Sequence, residues 1–102
     1  MELKKTEKLR LLFIEANLLI NGEIGRPLLM SRFSMSGKTA TRSLSFYEEY
    51  CPGQMFIDRS PVRPIYSKTK TCKPCLFKSL DEATRYMEAV DFIDQLAERN
   101  NK

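Results

Sequence analysis

The segment SRFSMSGKTATRSLSFY, residues 31–47, sets two basic stretches on either side of a Ser-Met-Ser-Gly break and contains no acidic residue. Ser36 is a good helix N-cap, because its hydroxyl can accept a hydrogen bond from a free backbone N–H one turn into the following helix. The expected helix runs from there to about Tyr50. At about 100° per residue, Ala40, Leu44 and Tyr47 share one side, Lys38, Arg42 and Ser45 lie opposite, and Thr39 and Thr41 flank them. One side is core; the other is short, polar and basic.

Upstream, Leu9, Leu12, Phe13, Ala16, Leu19 and Ile20 fall at the spacing of a core-facing helix over residues 6–20. Asn21-Gly22 closes it, since both residues tolerate the left-handed conformation of a C-cap. Pro27 suits a first helical turn, and PLLMSRF reads as a short second helix ending at the SMSG turn. Downstream, CPGQ stops the third helix. MFIDR and PIYSK follow as two strand-like runs, so residues 55–68 read as a hairpin with Arg59 and Arg63 near its tip. Pro64 is expected to confine the second strand to an edge. TKTCKPCLFK reads as extended and irregular.

The last helix, residues 79–99, opens with SLDE, a capping box in which Ser79 and Glu82 can satisfy each other's N–H groups. Ala83, Tyr86, Val90, Ile93 and Ala97 form a stripe along it. Ala89, Phe92 and Leu96 widen that stripe beyond what one packing partner needs. Tyr86, Val90, Phe92, Ile93 and Leu96 are therefore expected to mediate homodimerisation. The expected organisation is a unit over residues 1–78 and a C-terminal helix over 79–102, mainly α with a small β-hairpin.

A chain of 102 residues suits one compact domain. It has no apolar run long enough for a membrane span and no signal-peptide block, so the expectation is a soluble, cytoplasmic protein with no membrane partner. The net charge of +4 is unevenly spread. Residues 26–80 hold ten basic and three acidic side chains, whereas residues 81–102 hold three basic and six acidic. A basic middle beside an acidic helix is the pattern of a surface for a polyanion.

Helix, short helix, turn, helix and hairpin is the order of a winged helix-turn-helix, whose third helix enters the DNA major groove while the wing touches adjacent backbone or minor groove. On this reading double-stranded DNA is the partner. Arg42 is the expected base contact, since its planar fork can bond guanine at two points. Ser36, Lys38, Thr39, Thr41 and Ser45 are divided between phosphates and bases, and Arg59 and Arg63 belong to the wing.

These residues also carry a likeness. The chain over residues 10–69 resembles the N-terminal winged-helix domain of bacterial WYL-domain transcriptional regulators, including those that repress phage-defence operons. The matching features are Arg10, Phe13, Ile14, Glu15 and Leu18 in helix 1, Gly22, Ile24 and Arg26 in the linker, and Phe33, Ser36, Ala40, Leu44 and Tyr47 around helix 3. Pro52, Gly53, Ile57, Asp58, Ser60 and Tyr66 follow in the wing. The resemblance implies a recognition helix containing Ser36 and Arg42, and dimers acting on inverted repeats. Ser43 stands where the resemblance implies an acidic residue, and the expectation is a winged helix standing alone without the WYL domain, similar to regulators carried on mobile elements.

CKPC has zinc or redox spacing, yet a tetrahedral site needs four ligands and the chain has three cysteines and no histidine. In the resemblance this segment is an apolar strip after the wing, which implies that Cys72 and Cys75 pack as small hydrophobes. A cytoplasmic setting argues against a permanent disulfide. Neither a phosphate-binding loop nor a nucleophile elbow is present, and Asp58 and Glu15 read as turn and surface groups. No catalytic residue, metal, cofactor or small-molecule ligand is expected. An excisionase-type recombination factor and a protein–protein adapter or inhibitor remain alternatives to a dimeric repressor.

Overall fold

The computed structural model describes residues 4–60 and 62–100. Its elements run α1 (Lys5–Asn21), β1 (Glu23–Gly25), α2 (Arg26–Phe33), α3 (Gly37–Tyr50), β2 (Met55–Asp58), β3 (Ile65–Lys68) and α4 (Leu80–Asn100). This is a winged helix with a C-terminal helix, as the order of sequence signals implies. Pro61 of the expected wing tip and the last two residues of the expected C-terminal unit lie outside the described residues.

The core gathers Leu11, Ile14 and Leu18 of α1, Ile24 of β1, Leu29 of α2, and Ala40, Leu44 and Tyr47 of α3. Each large side chain fully buried there contributes about 1.5–3 kcal/mol. The face of α1 differs from the expected one: Leu9 and Ile20 are exposed, while Leu11, Ile14 and Leu18 are buried. The reason is that α1 is packed from two sides. Its Leu11 side meets α2 and α3, and Leu12, Ala16 and Leu19 meet Phe77 and the start of α4. A single-stripe reading averages these two directions and points between them.

Gly22 ends α1 at φ +83°, with its N–H donating to the Leu18 carbonyl. That left-handed conformation carries no Cβ penalty in glycine. Its carbonyl accepts from the Lys68 N–H at 2.9 Å, so the residue that closes α1 also opens the sheet. The sheet has three strands in the order β1-β3-β2, with Ile24 opposite Tyr66 and Ile57 opposite Tyr66 on the other side. The expected hairpin is present as β2 and β3, and β1 adds a third strand to it, which corrects the edge position expected of the second hairpin strand. Pro64 precedes the first paired residue, Ile65, and its missing N–H therefore falls outside the ladder, leaving β3 free to be central.

After the wing the chain has no regular structure, yet it is held at three points. Gln54 is 4% exposed; its Oε1 accepts from the Lys73 N–H at 3.2 Å and its amide donates to the Lys73 carbonyl. The Glu15 carboxylate, fully buried, accepts from the backbone N–H groups of Cys75, Leu76 and Phe77 at 3.1, 2.8 and 2.8 Å. Glu15 is thus an interior anchor, not a surface group, because the strip folds over it and supplies the donors that burial of a carboxylate demands. Thirdly, Cys75 forms a disulfide with Cys51, the C-cap of α3, with Cα atoms 6.3 Å apart. The packing of Cys75 as a small hydrophobe, and the argument against a disulfide, are corrected by this bond. Sequence proximity suggested Cys72 as its neighbour, whereas the fold brings Cys51 to it across the wing. Cys72 is the free thiol, half-buried, with its pKa pushed up by burial against a lowering by Lys68.

The Glu82 N–H donates to Ser79 Oγ at 3.2 Å, as a capping box requires, but the Glu82 carboxylate accepts from Lys78, one residue earlier than expected. The first half of α4 docks on the domain. Ala83 is fully buried beside Ala16, Tyr86 lies 5.3 Å from Phe77 between ring centroids, and Arg32 of α2 pairs with Asp94. The wide apolar stripe is therefore split: Tyr86 and Val90 face inward, whereas Phe92 and Ile93 are each 57% exposed and Leu96 38%. No described helix is long and apolar enough to cross a membrane.

Candidate nucleic-acid interface

The second and third helices set up the candidate interface. α2 closes at Ser34 in the left-handed conformation, Met35 follows, and Ser36 begins α3. Ser36 Oγ accepts from the Thr39 N–H at 3.2 Å and donates to Thr39 Oγ1 at 3.1 Å. Ala40, Leu44 and Tyr47, all fully buried, fix the rotation of α3 about its axis. That rotation leaves Lys38, Arg42, Ser45 and, at the C-terminal end, Glu49 exposed in one row. Ser43 is 8% exposed and its hydroxyl donates to the Thr39 carbonyl, so its polar group is satisfied within α3.

The rotation is anchored at depth. Tyr47 donates to Glu15 Oε1 at 2.8 Å and accepts from Gln54 at 3.3 Å. Burial pushes the Tyr47 phenol far above its ordinary range; Gln54 lowers it somewhat and Glu15 raises it further. The phenol therefore remains a proton donor at any working pH. The same Glu15 that ties down the post-wing strip thereby holds the last turn of α3.

Of the expected contact residues, Lys38, Arg42 and Ser45 share the exposed row, and Ser36 is exposed at its N-terminal end. Thr39 and Thr41 are half-buried. Thr41 is engaged within the protein: its hydroxyl donates to the Gly37 carbonyl at 3.0 Å and accepts from Arg26 at 3.4 Å. That bond brings Arg26 to the flank of α3, a cation that the sequence signals placed only as a linker residue. Its position immediately before Pro27, at the start of a helix packed on α3, was the available clue.

In the wing, Arg59 and Arg63 are exposed, separate from the α3 row, with Val62 wholly exposed between them. Asp58 Oδ1 accepts from the Ser60 N–H at 3.0 Å, an Asx-turn that starts the wing loop. That bond, with Ser60 as its cause, holds the Asp58 carboxyl below its usual pKa. Asp58 is thus the turn residue expected of it.

Glu15, Cys51 and Cys75 bring possible metal-ligand atoms within 4.8 Å of one another. The two sulfurs are bonded to each other and the carboxylate is taken up by four donors, so the cluster is a structural joint.

Compared with known proteins, the chain matches no curated protein. A family model described as the BrxR transcriptional regulator winged helix-turn-helix domain matches residues 6–92, from α1 through the docked half of α4.

Proposed function

The chain belongs to the family of BrxR transcriptional regulator winged helix-turn-helix domains, and we propose that it acts as a dimeric, sequence-specific repressor on an inverted repeat. The exposed row of Lys38, Arg42 and Ser45, with its acid, Glu49, only at the C-terminal end of a capped and internally anchored helix, carries this reading. In it Arg42 bonds a base edge in the major groove, Lys38 and Ser36 bond phosphates, Thr39 and Ser45 supply polar contacts along the groove, and Arg59 and Arg63 position the wing. Arg26 is added on the flank of α3. Repression, residence in the cytoplasm on the nucleoid, and carriage on a mobile element rest on the family likeness, and no enzymatic step is assigned to any residue.

Arg42→Ala is expected to cost about 1–3 kcal/mol and to relax specificity at one base step, while Arg63→Ala weakens binding to all sequences alike. Electrophoretic titrations on cognate and scrambled duplexes check this. Equal losses on both duplexes for Arg42→Ala would remove its base-reading role.

Pairing falls on Phe92, Ile93 and Leu96, since Tyr86 and Val90 are occupied by docking. Apolar side chains this exposed on one helical stripe invite a partner, and the acidic balance of this helix keeps it off the duplex. Two recognition helices would then reach major grooves about 34 Å apart. Phe92→Asp with Ile93→Asp is expected to give a folded monomer with much weaker operator binding, because the two half-sites are no longer linked. Light scattering with a circular dichroism control tests it. A wild type monomeric at micromolar concentration would rule out this interface.

A further inference from the structure

A cleft of about 440 Å³ lies between the start of α1 and the flank of α3 that faces it. Lys4, at the N-cap of α1, and Arg10 line it on one side, and Thr39, Arg42 and Phe46 line it from α3; Glu7 is the acid among its walls. Arg10 is half-buried, while Arg42 is exposed and also belongs to the row of Lys38 and Ser45. Neither arginine forms an ion pair among the described residues.

We propose that this cleft is a second anion site, which clamps a phosphodiester of the DNA strand bordering the groove that α3 occupies, with Arg10 as its principal contact. The inference rests on the DNA-binding reading and extends it to α1, outside the helix-turn-helix and the wing. A helix lying in a major groove about 12 Å wide has a sugar-phosphate strand along each side. The cleft is the concave surface on the α1 side of α3, and Arg42 connects it to the groove-facing row. A guanidinium offers a planar fork matched to two phosphate oxygens, and partial burial of Arg10 lowers the conformational entropy lost on binding. Three cations against one carboxylate leave the site positive, and Thr39 adds a hydroxyl.

Arg10 is thus a positioning contact, distinct from base reading, and it accounts for a basic side chain held half-buried without an acidic partner. Its effect should be independent of sequence.

The test is fluorescence anisotropy on cognate and scrambled duplexes across a salt series, for wild type, Arg10→Gln, Arg10→Lys, Glu7→Gln and, as a remote acid on α4, Glu88→Gln. Arg10→Gln should weaken both duplexes by a similar factor, roughly tenfold, and lower the log–log salt slope by about 0.9. Arg10→Lys should restore the slope with part of the affinity. Glu7→Gln should tighten both duplexes more than Glu88→Gln, a gain that misfolding cannot produce. A wild-type slope for Arg10→Gln alongside normal wild-type binding overturns the cleft alone. A wild type without salt-dependent affinity overturns this inference together with the DNA-binding reading. Inorganic phosphate at constant ionic strength should compete equally against wild type and Arg10→Gln; selective competition against wild type would mark a free-anion site and overturn the backbone assignment.

Discussion

Replacing Glu15 with alanine is expected to lower the unfolding free energy by about 4 kcal/mol or more, the largest single-residue loss in the domain. Its carboxylate accepts from the Tyr47 hydroxyl and from three successive backbone N–H groups. Hydrogen bonds to a charged group are worth about 1.5–3 kcal/mol each, and buried donors left without a partner cost about 1–3 kcal/mol. These losses do not add fully, because the strip can lift and admit water. Even so, the deficit is a large part of the roughly 5–15 kcal/mol available to a domain. Glu15→Gln keeps an acceptor for the strip and offers an N–H to the Tyr47 oxygen, so its cost should be nearer 1–2 kcal/mol. Urea unfolding followed by circular dichroism measures both. A loss below 1 kcal/mol for Glu15→Ala would show that the strip is held by other means. The local consequence reaches function: freeing residues 75–77 undocks Phe77 from Tyr86 and loosens the last turn of α3 through Tyr47.

The second large effect belongs to the Cys51–Cys75 bond. It joins residues 24 apart in sequence, and the loop so closed contains the entire wing. On the chain-entropy account, removing a cross-link of that span costs about 3 kcal/mol. Cys75→Ser is expected to show this loss under non-reducing conditions. Dithiothreitol should reproduce the loss in wild type and leave Cys75→Ser unchanged. Alkylation in denaturant without reductant should label Cys72 alone, and labelling of all three cysteines would contradict the bond. Cys72 is a poor competitor for exchange, since burial keeps it protonated and attack on a disulfide needs the thiolate.

The order of helices, the Ser36 cap, the Gly22 stop, the Asp58 turn and the inward side of α3 were all legible in the sequence. Each depends on interactions within a few residues: a hydroxyl reaching an N–H one turn on, a glycine in a left-handed cap, an apolar spacing near 3.6. The composition of the exposed row of α3 follows from the same periodicity, because fixing Ala40, Leu44 and Tyr47 inside places Lys38, Arg42 and Ser45 outside. Tertiary structure alone determined what comes from distant segments. β1 is three residues long and becomes a strand only because β3 lies beside it, which is also what moves β3 to the centre. Glu15 reads as a surface acid until residues 75–77 fold over it, and its four donors come from positions 32 to 62 residues away in the chain. Cys75 has a sequence neighbour in Cys72 and a spatial partner in Cys51. The stripe on α4 is continuous in sequence, and only docking against α1 divides it into a buried half and an exposed half. Short-range hydrogen bonding and periodicity are written locally, whereas burial is a property of the surroundings, and only the folded chain supplies those.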